Sequence, residues 1–338
     1  MIDMKILAVD DDEFILELLQ AAMTAAGYPD LAVATSGAEA LDIISNATTP
    51  FDCFLFDIQM PEMDGIELCA RVRKMEQYRK APILMITAMS EREYVDRAFA
   101  AGATDYVTKP FDVLELGTRV AMAQRLVDEI KKSRSNEKTL DVLTEKLVGG
   151  NLVSLSESLD VDDVDGFLNY TAFRNYILQL GRGNYFSSSI FALKVANIQA
   201  IYDRCTGSEF EFVITDIADA ISENLRGETC FFTYAGNGVF LCVYSRFKDL
   251  IQEDLEYLVQ DTATQMGLVF PDGSPLEIDL VLGEAKSPGV FAKPGSLAVL
   301  DDAIADVERR VMQRSSGADR TQNEGLWTAK LGKRRFAF

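Results

Sequence analysis

Five times between residues 5 and 130, a near-continuous apolar run gives way to a segment whose apolar residues fall at helical spacing. The runs are KILAVD (5–10), LAVAT (31–35), FDCFLFD (51–57), PILMITA (82–88) and DYVTK (105–109), with helical segments near 13–26, 37–46, 65–77, 91–101 and 112–130. Strands apolar at nearly every position must be covered on both faces, so consecutive βα units predict an α/β domain with a parallel sheet. Ligands of such sheets bind beyond the carboxyl ends of the strands. There the sequence places Asp10 and Asp11 (with Asp12 following), Asp57, Thr87 and Lys109-Pro110. Carboxylate oxygens suit a hard ion such as Mg2+, and a carboxylate beside a lysine and a metal suits nucleophilic capture of a phosphoryl group. Singly, each residue has a plainer explanation, since an acid before a helix caps it and Lys-Pro marks a turn. Their convergence on one sheet edge is what favours chemistry.

Composition narrows that chemistry. The chain has no histidine, which excludes Ser-His-Asp hydrolysis and His-ligated zinc. A net charge of −20 argues against a nucleic-acid surface, which needs clustered Lys and Arg. No apolar run approaches the roughly 18 residues of a membrane span, and the N-terminus lacks a basic segment before an apolar one, so a cytoplasmic protein is expected. The five cysteines, Cys53, Cys69, Cys205, Cys230 and Cys242, show no paired or metal-like spacing and read as reduced core thiols. At 338 residues the chain predicts two domains.

The residues of the first domain resemble the receiver domain of two-component response regulators. ILAVDDDE, FLFDIQMPEMDGIEL, ILMITA and AGATDYVTKPF carry the likeness over about the first 125 residues. It implies a five-stranded, doubly wound, flavodoxin-like receiver with Asp57 as phosphoacceptor and a sensor histidine kinase or phosphotransfer protein as donor. Asp10, Asp11, Asp57 and the backbone carbonyl of Gln59 would hold Mg2+, Lys109 would pair with the phosphoryl group, Thr87 would bond it, and Tyr106 would turn inward in response. It also implies a cis Lys109–Pro110 bond. In the fifth helix, Val113, Leu116, Val120, Ala123, Val127 and Ile130 form a short a/d seam. Its first half is needed by the receiver's own sheet, and its later positions could pair with a second chain.

Downstream, residues 131–164 read as a helical extension and linker, with a Gly-, Ser- and Asp-rich stretch at 148–166. From 165 the order is helix, strand, two helices, two hairpin strands, helix, strand, helix, which predicts an α+β domain with a mainly antiparallel sheet. The hairpin TYAGNGVFLCV (233–243) holds a glycine-bearing turn where a catalytic signature could sit.

Residues 165–315 resemble the GGDEF diguanylate cyclase domain in order and spacing, with Asn169 and Phe173 in its opening motif. The signature hairpin becomes Ala235, Gly236, Asn237, Gly238 and Val239, so both of its carboxylates are missing. The family's metal aspartate falls on Lys194 and a nearby acidic position on Ala196. Its guanine-contacting asparagine falls on Tyr202, its guanine-contacting acid on Glu211, and the lysine of its last helix on Glu308. The regulatory Arg-x-x-Asp site keeps Arg226 but has Thr229 in the acid's place. The expectation is a degenerate output domain without cyclase activity and without a bound nucleotide, acting through dimerisation or an unidentified downstream protein. The alternatives are a divergent active cyclase and a non-catalytic GTP- or cyclic di-GMP-binding effector. Lys194 either reaches solvent from a strand edge, the favoured reading, or meets a nucleotide phosphate. The basic-aromatic tail 316–338, with Lys330, Lys333, Arg334, Arg335, Trp327, Phe336 and Phe338, is expected to fold back on the acidic body or on a dimer mate.

Overall fold

The computed structural model describes residues 4–88, 92–144, 153–182, 188–225, 230–245, 252–270, 272–286 and 297–315. Two compact units separate. The first carries β1 (Ile6–Val9), α1 (Glu13–Ala25), β2 (Leu31–Ala34), α2 (Gly37–Asn46), β3 (Cys53–Phe56), α3 (Gly65–Arg73), β4 (Ile83–Thr87), α4 (Arg92–Ala100), β5 (Asp105–Thr108) and α5 (Val113–Thr144), joined by helix α6 (Tyr170–Arg182) from Thr171 on. Its strands run in the order β2-β1-β3-β4-β5, and every pairing is parallel. The α/β expectation is met, and the reason is visible in burial. All residues of β1, β3 and β4 are buried, which only a sheet with helices on both faces can provide.

Helix starts follow local chemistry. Asp12, Ser36 and Asp64 cap α1, α2 and α3 through their side chains, each satisfying an amide that the first turn leaves open. Helix α5 runs to Thr144, past the point where the apolar repeat stops, so 131–144 continue as helix without the seam. Within the seam, Leu116, Val120, Ala123 and Val127 are buried against β1, β3 and α1 residues, while Val113 is exposed. The receiver's own core therefore uses the middle of the seam as well as its start. Ile130 is half-buried at its end.

The second unit carries β6 (Ser188–Val195), α7 (Ile198–Tyr202), α8 (Gly207–Asn224), β7 (Cys230–Tyr234), β8 (Val239–Ser245), α9 (Gln252–Gln265), β9 (Leu280–Leu282) and α10 (Ala298–Ser315). Its sheet runs β7-β8-β6-β9, and all three pairings are antiparallel. The last strand is shorter than its apolar pattern suggests, and on its outer edge the Gln260 side chain of α9 donates to the Ile278 carbonyl and accepts from the Leu280 amide.

The stretch expected as a linker is apolar where it matters. Val153, Leu155, Leu159, Val161 and Val164 pack against the core of the second unit, and the described residues 153–170 belong to that unit. Residues 145–152, Arg226, Thr229 and the tail 316–338 lie outside the described residues.

Candidate functional site

Parallel register brings the site together. Val9 pairs with Phe56 and Thr87 with Thr108, so Asp10, Asp57 and Lys109 each follow the last paired residue of their strands at one sheet edge. The Asp57 amide donates to the Val9 carbonyl at 2.9 Å, and the Lys109 amide to the Thr87 carbonyl at 2.7 Å. The Lys109–Pro110 peptide is cis. Behind Asp57 the chain turns so tightly that a Cβ on Gly65 would lie 2.0 Å from the Asp57 carbonyl oxygen. Only glycine fits there.

Lys109 Nζ bridges two buried carboxylates, reaching Asp10 Oδ2 at 2.6 Å and Asp57 Oδ1 at 2.7 Å. Burial raises the Asp57 carboxyl above the ordinary aspartate range, against the hydrogen bond and charge of Lys109; the nearby Asp10 charge raises it further, and the Gln59 amide bonds its ionised form. Burial also opposes the Lys109 ammonium, yet the hydrogen bonds and charges of Asp10 and Asp57 outweigh it and hold the group above the usual lysine value. Thr87 is fully buried at the end of β4, and Tyr106 is buried in β5. Asp11 is exposed beside this bridge, and Asp12 is spent as the α1 cap, its Oδ1 accepting from Phe14 at 2.9 Å.

The donor set expected for Mg2+ is all oxygen, as that ion requires. Asp10 and Asp57 both bond Lys109 at this mouth, and Asp11 is exposed beside them, so carboxylate oxygens stand where that ion would be held. The bridge places an ionisable carboxylate, a countercharge and two further acids at one mouth. Chemically it suits uptake of an anionic group by Asp57, with Lys109 ready to follow the new charge.

The second set of singled-out positions is arranged differently. Lys194 does not reach solvent: β6 lies between β8 and β9, and the side chain is buried. Its Nζ donates to the Asn237 carbonyl at 2.9 Å and to Glu308 Oε1 of α10 at 2.6 Å. The favoured reading of Lys194 is thus corrected, because an interior strand offers no edge from which a lysine can extend. Tyr202 donates its hydroxyl to the Val153 carbonyl at 2.6 Å. The hairpin turn is covered too. The Asn237 amide donates to the Leu155 carbonyl at 2.7 Å, and a Cβ on Gly236 (φ +90°) would lie 2.4 Å from Ser156 O. Gly238, also at positive φ, packs under Ile198, and Glu211 is exposed on α8. Residues 153–156, which sequence reasoning passed over, therefore touch both Tyr202 and the hairpin. Their signal was the alternating Val153 and Leu155 inside a polar stretch.

A parallel 2-1-3-4-5 sheet with an acid-lysine bridge at its strand ends fits a receiver domain, and comparison with known proteins agrees. Residues 6–121 match the response regulator receiver domain family. The alkaline phosphatase synthesis transcriptional regulatory protein PhoP of Bacillus subtilis is 36% identical over 179 residues, 53% of this chain and 72% of that protein. This chain belongs to the response regulators of two-component systems. The transcriptional regulatory protein YvrH of B. subtilis is 34% identical over 161 residues, 46% of this chain and 66% of its own length. Response regulator PleD of Caulobacter vibrioides is 32% identical over 142 residues, 41% of this chain and 31% of PleD. The chain spans about half to two thirds of the length of most curated relatives that it matches. Among the described residues no helix is long and apolar enough to cross a membrane.

Proposed function

We propose that the protein is a cytoplasmic signalling protein phosphorylated on Asp57 by a partner histidine kinase or phosphotransfer protein, with a catalytically inactive, GGDEF-like second unit as its output. The observation that carries this reading is the Asp10–Lys109–Asp57 bridge at the open end of the sheet. In the reaction an Asp57 oxygen attacks the phosphorus of a phosphohistidine. The P–O bond forms, the P–N bond breaks, and its electron pair stays on the partner's imidazole. Lys109 pairs with the new phosphoryl oxygens, and Thr87 and Tyr106 respond from β4 and β5. Asp11, with Asp10, Asp57 and the Gln59 carbonyl, would hold Mg2+, which when bound neutralises charge on the transferring group.

For the second unit, the support is what occupies its former chemistry. Lys194 and Glu308 stand where a metal aspartate and a lysine are expected in the GGDEF family, and they pair with each other. Residues 153–156 lie on the hairpin turn and on Tyr202. Both features favour a binding module over a divergent cyclase or a nucleotide-binding effector. The test is incubation of the full chain with acetyl phosphate with and without Mg2+, followed by intact mass. Mg2+-dependent gain of one phosphoryl group that Asp57→Asn abolishes supports the reading, and gain that survives Asp57→Asn overturns it.

A further inference from the structure

Helix α6 lies within the receiver unit from Thr171 on, and three of its polar side chains bond the β5 edge, with the residue before it, and α4. Asn175 Nδ2 donates to the Thr104 carbonyl at 2.9 Å, and Gln179 Nε2 to the Tyr106 carbonyl at 2.6 Å. β5 is an edge strand, which leaves backbone groups without a neighbouring strand. The geometry matches: four helical residues rise about 6 Å, and two strand residues advance about 6.6 Å. Side-chain amides at i and i+4 of α6 can therefore take carbonyls at i and i+2 of the strand edge. The Tyr106 amide is also held locally, by Asp105 Oδ1 at 2.8 Å.

Between these two amides Tyr176 seats the helix on α4. Its ring meets Phe99 edge-on at 5.3 Å, and its hydroxyl donates to Asp96 Oδ1 at 2.7 Å. Phe173, Tyr176, Ile177 and Leu180 are all buried, and Gln179 is nearly so. A buried amide left without its partner costs more than the bond contributes, so the docking is sensitive to small shifts of β5.

β5 is also the strand that leads into Lys109. Tyr106, whose carbonyl Gln179 holds, is three residues before the lysine that bridges Asp10 and Asp57. A phosphoryl group on Asp57 adds negative charge beside Lys109 and draws it from its present geometry. We infer that helix α6 is a reversible ligand of the β5 edge and α4, and that phosphorylation of Asp57 releases it. This inference rests on Asp57 being the phosphoacceptor.

Hydrogen–deuterium exchange of the full-length protein, read on peptides covering 171–182, tests the inference, with intact mass recording phosphate on the same sample. Acetyl phosphate with Mg2+ is expected to raise exchange in α6 about tenfold, the scale set by losing one or two buried hydrogen bonds. Asn175→Ala/Gln179→Ala is expected to do the same without phosphate while β1–β4 peptides stay protected; Gln179→Ala alone serves where the pair does not fold. Phosphate on Asp57 with unchanged α6 exchange overturns the release, as does a variant whose α6 exchange matches wild type. No phosphate on Asp57 removes the trigger and overturns the inference together with the phosphoacceptor reading, and the mass shows which step failed.

Discussion

Two lysines in this chain hold nearly the same company and lead to opposite expectations. Lys109 and Lys194 each make two short contacts to oxygen, at 2.6 and 2.7 Å in one case and 2.6 and 2.9 Å in the other. What differs is the place in the sheet. Lys109 follows the last residue of an edge strand, at the end where ligands of parallel sheets bind, with exposed Asp11 beside it. Lys194 sits inside an interior strand, under a hairpin turn that residues 155–156 cover. An ion pair at an open strand end can exchange one partner for an incoming anion. The same pair inside a sheet only closes the space it fills.

The comparison can be broken at either lysine's surroundings. The largest effect is expected from Gly65→Ala, whose methyl would collide with the Asp57 carbonyl oxygen: roughly 3 kcal/mol of stability, read by urea denaturation, together with loss of phosphate uptake. Next comes Lys194→Asp, which faces Glu308 with a like charge. Because Glu308 is 36% exposed, the loss is expected at about 2 kcal/mol, below that of a fully buried pair. Glu308→Lys in the same protein should recover most of it, and neither variant should consume GTP. Recovery of stability with GTP turnover would show that only a metal ligand had been missing.

A smaller effect separates the two sites by pH. The Asp57 carboxyl is held above its unfolded value mainly by burial, so its ionisation opposes folding once pH exceeds the raised value. Asp57→Asn is therefore expected to melt above wild type at pH 7. The gap should close as pH falls through the raised pKa, where the wild-type carboxyl becomes neutral as well. A gap that widens in acid would reverse the sign of the burial effect. The smallest change concerns thiols. All five cysteines are free and buried, and burial lifts Cys53 to about 12 and Cys69 to about 11. Ellman's reagent at pH 7 should find no fast-reacting thiol until the protein unfolds.

Much of the receiver was legible because its signals are local. Apolar runs with acids at their ends determine strand, register edge and site at once, and Asp10, Asp57 and Lys109 meet as their positions imply. In the second unit the β7–β8 hairpin and an antiparallel sheet were readable, but the fate of Lys194 was not. Whether a strand is interior depends on β9, which lies more than eighty residues away in sequence. Residues 153–156 were hidden by composition, their two apolar side chains alternating with serines. The docking of α6 could not be read at all, because Asn175 and Gln179 are ordinary helix-surface residues until an edge strand faces them.

The most direct measurement puts both sites in one tube. Full-length protein is incubated with acetyl phosphate, Mg2+ and GTP; its peptides are mapped for phosphate and its nucleotides separated by chromatography. The expected result is phosphate on the peptide holding Asp57 and GTP recovered unchanged. GTP converted to cyclic di-GMP while Asp57 stays unlabelled would contradict the assignment of both lysines.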